Sequence, residues 1–217
     1  NFVTSLAVVR PSTGVGPVIH SSARFRVVVS IVRAATLLWL TTCATDETKL
    51  DEAGVETQAL LAPITLNAVA DTRVSDWLPV TNYGTGTTLN IASVTFDDTE
   101  LSLVRFDQAA IVSGVGTGTL QSATLELTID AVSLGFIGGH AAAHRMTRSW
   151  TENGATWLCA NDTDHGAVGQ FVNNCPLQDR WGLEYWSFYP RPYVSTPTAT
   201  ALLAPGQTGI VSLDVTA

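Results

Sequence analysis

The chain has 217 residues, 46% of them hydrophobic and 14% charged, with 19 acidic against 11 basic side chains and a net charge of −8. That is enough apolar material for one core, and it excludes intrinsic disorder, which goes with few apolar and many charged residues. Lys49 is the only lysine. General nucleic-acid binding by a basic face is therefore excluded as well, because neutralising phosphates takes clustered Lys and Arg.

The charge is unevenly spread. Residues 1–42 hold Arg10, Arg24, Arg26 and Arg33 and no acid, for +4, which leaves −12 on residues 43–217. Arg24 and Arg26 precede an apolar run from Val27 to Leu40, and Cys43 follows after Thr41 and Thr42. A basic start, a short apolar run and small residues before a cleavage point form the pattern of an export signal. The run, at 14 residues, is shorter than the roughly 20 a spanning helix needs. Arg33 interrupts it. Leu40 to Cys43 resembles a bacterial lipobox, with Thr42 in place of the usual small residue before a lipidated Cys, so a lipid anchor at Cys43 is the accompanying expectation. Residues 1–42 are read as an export signal with an upstream extension. Residues 43–63 are acidic and weakly periodic and end at Pro63, which suits a flexible linker.

From Ile64 onward the pattern is that of strands. Val104 and Phe106 alternate with Arg105, and Leu125, Leu127 and Ile129 alternate with Glu126, Thr128 and Asp130, which puts each apolar set on a core face. Thr87–Ile91 and Gly209–Val215 are further strand candidates. Turn signals separate them: Asn82-Tyr83-Gly84-Thr85-Gly86, Asp97-Asp98, Gly114 to Gly118, and Gly138-Gly139. Short strands with such punctuation and no long helix predict an all-β fold, an antiparallel sandwich of jelly-roll type spanning residues 64–217.

A series of segments then occurs in order: Ala70-Asp71-Thr72-Arg73-Val74, Thr81-Asn82-Tyr83-Gly84-Thr85, Thr88-Leu89-Asn90-Ile91, Val104-Arg105-Phe106-Asp107, Ser122-Ala123-Thr124-Leu125-Glu126-Leu127, and Thr147 to Trp157. The series resembles the DNRLRE-domain proteins, the group that includes the family 96 carbohydrate-binding modules. The resemblance covers about Ile64 to Ala217. It implies an extracellular or cell-surface bacterial β-sandwich without catalytic activity, with a polysaccharide as partner, in some members the acidic polysaccharide alginate. It also implies at least two more strands after Leu213-Asp214-Val215. Without them a jelly roll would expose a sheet edge and part of its core, so the chain is expected to be truncated there or to receive those strands from elsewhere.

Trp150 and Trp157 flank Asn153-Gly154, a hairpin signal, and are read as core aromatics. The binding candidates lie in Arg180–Tyr193, which crowds aromatics and two arginines without a regular period, as a long loop on a rigid scaffold would. Trp181, Trp186 and Tyr189 are the expected stacking residues. Arg180 and Arg191 are the expected partners for carboxylates or hydroxyls. The other reading is a structural or adhesive surface module in which this cluster packs or meets a protein.

Cys159 and Cys175 enclose a polar loop and, in an oxidising compartment, are expected to pair. No cofactor is required by the sequence. A structural calcium is the one candidate, with Asp71, Asp107 and Asp214 at strand ends as oxygen ligands. His140 and His144 lie in an expected strand, where a spacing of four does not form the two-histidine metal site of a helix. Gly114-x-Gly116-x-Gly118 lacks the Lys-Ser/Thr of a phosphate loop and is read as a flexible turn. No nucleophile elbow or triad pattern occurs, so the chain is expected not to be an enzyme.

Overall fold

The computed structural model describes residues 5–9, 19–21, 25–32, 63–94, 98–116, 119–130, 139–163, 175, 179–181 and 191–216. The elements in chain order are β1 (Ser5–Val9), β2 (Ile19–Ser21), β3 (Phe25–Val32), β4 (Ile64–Asn67), β5 (Ala70–Ser75), β6 (Leu89–Val94), β7 (Asp98–Arg105), α1 (Gln108–Val115), β8 (Thr119–Ile129), β9 (Gly139–Arg145), β10 (Ala199–Leu203) and β11 (Gly209–Asp214). The fold is all-β with antiparallel pairing. Strands β10-β9-β1-β7-β6-β2 form one sheet, with β5 on the other edge of β7, and β11-β8-β3-β4 form a second.

The two sheets share one apolar layer. Leu89, Ile91, Val104, Ala141, Ala143 and Leu203 of the larger sheet cluster with Leu125, Leu127, Ile129, Val211 and Leu213 of the smaller one. Strand alternation produces this layer: in β11 Val211 and Leu213 are buried while Ile210 is 65% exposed. In β8 the predicted triplet Leu125, Leu127 and Ile129 is buried. Val104 and Phe106 also point into this layer, and Arg105 lies on the opposite face against the Trp150 ring.

A second apolar cluster covers the outer face of the larger sheet. Ala70 and Val74 of β5 and Leu101 and Leu103 of β7 pack there with Met146, Trp150, Trp157, Leu158, Cys159, Cys175, Trp181 and Tyr193. These covering residues belong to irregular segments between β9 and β10. The expected disulfide is present between Cys159 and Cys175. Trp150 and Trp157 are core residues, as the sequence suggested. The Asn153-Gly154 pair does not join two strands. It closes a turn in which Gly154 and Ala155 N–H donate to Thr151 O at 3.1 and 2.8 Å.

Two expectations need correction. The first is that the sheets begin at Ile64. Strand β3 lies between β8 and β4, with Val29 opposite both Ala123 and Ile64, and β1 lies between β7 and β9. A short, β-branched apolar run suits an interior strand as well as an export signal, and periodicity alone does not separate the two. The second is the reading of Gly114–Gly118 as a turn only. Asp107 caps a short helix by accepting from Ala109 and Ala110 N–H at 2.8 and 3.3 Å, and Gly116, at φ 54°, ends it. This is the Asp-before, Gly-after signature of helix ends. Gly84, in the predicted 82–86 turn, has a φ that is not positive. A Cβ there would stand 2.2 Å from Glu152 O, so glycine is required by close approach rather than by backbone angle. The expected linker from 43 and the lipid anchor at Cys43 lie outside the described residues, apart from Pro63.

Candidate functional site

Each strand–loop junction around edge strand β5 is tied down by polar groups. At its end Asp76 N–H donates to Thr99 O at 3.1 Å, and Asp76 Oδ1 accepts from Thr99 N–H at 2.6 Å. The chain then turns, with Thr81 N–H donating to Leu78 O at 3.0 Å. Leu158 N–H reaches back to Pro79 O at 3.3 Å, fastening this loop to the covering segment. Asn82 completes the anchorage. Its Nδ2 donates to Glu152 O and Ala155 O at 2.7 and 2.8 Å, and its Oδ1 accepts from Gly84 N–H at 3.0 Å. Glu152 Oε1 in turn accepts from Asp71 N–H on β5 at 3.1 Å. An asparagine that satisfies two carbonyls and one amide across a sequence gap of some 70 residues holds two loops as one body.

The loop so held presents Trp77, 66% exposed, and Leu78, 45% exposed. Four residues before Trp77, Arg73 sits 4.1 Å from the Tyr83 ring centroid and 3.5 Å from Glu100 Oε1. The guanidinium is thereby fixed by a cation–π contact and an ion pair. Burial pushes the Tyr83 hydroxyl above its ordinary value, and the nearby Arg73 charge opposes that rise. Burial likewise raises the Asp71 carboxyl, with the neighbouring Glu152 charge adding to it. Trp77 offers an exposed indole face of the kind that stacks on a hydroxyl-rich ring, and the loop that carries it is held in place by these polar contacts.

The residues expected to bind are divided by the structure. Trp181 is buried and its Nε1 donates to Thr156 O and Trp157 O at 3.0 and 2.9 Å. It is a core residue with its one polar atom satisfied, not a stacking platform. Arg180 is half-buried beside it, bridging to Cys159 through the backbone, and its carbonyl accepts from Arg148 Nη1. Arg191 is exposed, with Nη1 3.3 Å from Tyr193 Oη and the guanidinium 5.9 Å from that ring. Tyr193 is itself packed against His144, whose Nδ1 is 2.8 Å from Val194 O. Trp186 and Tyr189 lie outside the described residues.

The calcium candidates are not brought together. Asp107 caps α1, Asp214 accepts from Thr216 N–H at 3.0 Å on the edge of the smaller sheet, and Asp71 lies beside Glu152. Asp107 and Asp214 are each occupied where they stand, Asp71 lies next to another carboxylate, and among the described residues no group of three His, Cys, Asp or Glu could hold a metal ion. Sequence reasoning missed Trp77. The signal was available: Ser-Asp-Trp-Leu-Pro directly after a strand is a polar turn carrying two apolar residues with no partner strand of their own.

The model of carbohydrate-binding module family 96 matches residues 62–174 of this chain. The match covers half of the chain and includes both anchored loops and β4 to β9. The chain belongs to that family, whose members are non-catalytic carbohydrate-binding modules. The partner of the chain is accordingly a polysaccharide. Neither the curated proteins nor the solved structures returned a match.

Proposed function

We propose that this module is extracellular or displayed at a bacterial cell surface and grips its polysaccharide at the 76–84 loop, with the Trp77 indole as stacking face. One comparison carries the reading. Of the four described tryptophans, Trp150, Trp157 and Trp181 are 2%, 6% and 2% exposed, whereas Trp77 is 66% exposed. An isolated exposed apolar residue is ordinary, but this one stands on a loop anchored at both ends, so a sugar stacking there loses little loop entropy on binding.

The acidic-polysaccharide reading, with alginate as the example, is supported by exposed Arg191, which can pair with a uronate carboxylate. Trp186 and Tyr189 belong to the same proposed set. The net charge of −8 opposes a polyanion at long range, so that preference depends on local arginine contacts and weakens as salt screens them. An oxidising location is supported by the Cys159–Cys175 bond.

Affinity-gel electrophoresis of the whole chain in neutral-glucan and alginate gels tests both levels. Trp77→Ala should weaken retardation at least about tenfold, a loss of one stacking contact, while leaving the melting temperature nearly unchanged. Arg191→Ala should weaken retardation in alginate only. Unchanged retardation of Trp77→Ala removes the site assignment. If no glycan retards the intact chain, the structural or adhesive surface reading replaces binding through this loop.

A further inference from the structure

Residues 24–40 carry the pattern of an export signal, and Cys43 stands where a lipobox cysteine would. A signal of this kind is removed from the mature protein, and a lipobox cysteine becomes its first residue. The fold gives the same stretch a different task. Strand β3 (Phe25–Val32) is paired on both flanks, with β8 and with β4, and β1 (Ser5–Val9) is paired with β7 and with β9. The charges of the stretch fit the strand better than the signal. Arg26, part of the basic start, lies directly opposite Glu126 on β8, a placement that favours opposite charges. Arg33, which interrupts the apolar run, follows immediately after the last residue of β3.

Removal of these residues would divide both sheets. In the larger one β1 is the link between β9 and β7, and in the smaller one β3 is the link between β8 and β4. The gaps would not close by the same kind of pairing. Strands β7 and β9 both run antiparallel to β1, so they are parallel to each other, and the same holds for β8 and β4 about β3. Each gap would be about 10 Å wide, two interstrand spacings, with unpaired N–H and C=O groups along both sides. The residues bordering the gaps are well sealed. Val104, opposite Leu6, Ala143, opposite Val8, and Leu125, opposite Val27, are each 0% exposed, and Leu127, opposite Phe25, is 1% exposed.

We propose that residues 5–42 are retained in the mature protein. Val27 to Leu40 is then not a cleaved signal, and Cys43 is an internal residue that carries no lipid. The two fates exclude one another, because a chain cut before Cys43 has lost the strands that join the parts of both sheets. An oxidising location does not depend on this segment: it is supported by the Cys159–Cys175 bond in the remainder of the domain.

The test expresses the full chain in a bacterium that exports and lipidates its own lipoproteins, and isolates the folded protein. Intact mass under denaturing conditions and mapping of the first peptides should find residues 5–42 continuous with Cys43 in essentially every molecule. Detergent phase partition should leave the protein in the aqueous phase. A first residue at Cys43, or a lipid mass on that cysteine, overturns the proposal. Two further readouts ask whether the retained segment lies in the sheets. Amides of residues 25–32 should exchange at least about a hundredfold more slowly than in the urea-unfolded chain. Val28→Pro removes a donor from a strand paired on both sides and should lower the urea midpoint. Val28→Thr, at a position opposite Thr65 and Thr124, should keep the midpoint of the unsubstituted chain. Unprotected amides over 25–32, or an unchanged midpoint in Val28→Pro, would equally overturn the proposal. If Val28→Pro does not accumulate, the exchange measurement on the unsubstituted chain decides.

Discussion

Leu125 in the layer between the sheets and Trp150 under the covering segment are both sealed from solvent, at 0% and 2% exposure. The backbone that seals them is built differently. Leu125 is held by ladders on both sides of β8, which pairs with β3 and β11. Trp150 is held by irregular chain that has no ladder of its own. There the ladder is replaced by scattered bonds: Arg105 Nη1 to Trp150 O at 2.9 Å, Ala160 N–H to Asp179 O at 2.7 Å, the Asn82 amide across two loops, and one disulfide. Apolar burial stabilises both regions, but only the second needs individual polar and covalent fasteners to keep its backbone in place. The second region is also where the exposed loop carrying Trp77 is attached.

The largest effects should come from emptying either core. Trp150→Ala should cost about 3–5 kcal/mol and Leu125→Ala about 2–5 kcal/mol in urea unfolding. The comparison is sharpened by repeating both in reductant. Once the bond at Cys159 is open, the covering segment can relax around the missing indole, so the cost of Trp150→Ala should shrink while that of Leu125→Ala stays the same. Equal costs under both conditions would show that the two cores unfold as one unit.

Next is the disulfide itself. Replacing Cys159 and Cys175 together by Ser should lower stability by about 3 kcal/mol, the expectation for a closed loop of some 15 residues. Amide exchange should speed up around Thr156, Trp157 and Trp181 more than around Leu125. Uniform acceleration would erase the distinction between the regions.

A smaller loss is expected at the contact between the two anchored loops. Gly84→Ala places a Cβ 2.2 Å from Glu152 O, a backbone atom that moves only with its loop, and overpacking of this kind costs about 1–3 kcal/mol. Thermal unfolding and glycan retardation should fall together, because the displaced loop carries Trp77. Unchanged retardation would separate that loop from binding.

The smallest effect concerns Asp71, whose carboxyl is raised above its ordinary value of 3.8 by burial and by Glu152. Ionisation is harder in the folded than in the unfolded chain, so the charge disfavours folding at neutral pH, and this penalty is absent at pH below the ordinary value, where both states are protonated. Asp71→Asn should therefore raise the melting temperature slightly at pH 7 and leave it unchanged near pH 3. A loss of stability at pH 7 would mean that the carboxylate has a favourable partner.

The first core could be read in the sequence almost residue by residue, because an alternation of period two fixes which side chains share a face before any partner is known. Leu125, Leu127, Ile129, Val211 and Leu213 needed nothing more, and the pairing of Cys159 with Cys175 needed only their compartment and loop. The family was likewise visible in the order of short segments from Ala70 to Trp157. What only the tertiary structure decided is which irregular residues are inside. Trp77 and Trp181 lie in segments without a period, so composition alone gives both the same promise as sugar platforms. One is sealed by chain far away in sequence and the other is not. Tertiary structure also decided the place of Phe25–Val32: a run of apolar β-branched residues has the same local preference whether it leads a chain or fills a sheet, and only the unpaired edges of β4 and β8 tell the two apart.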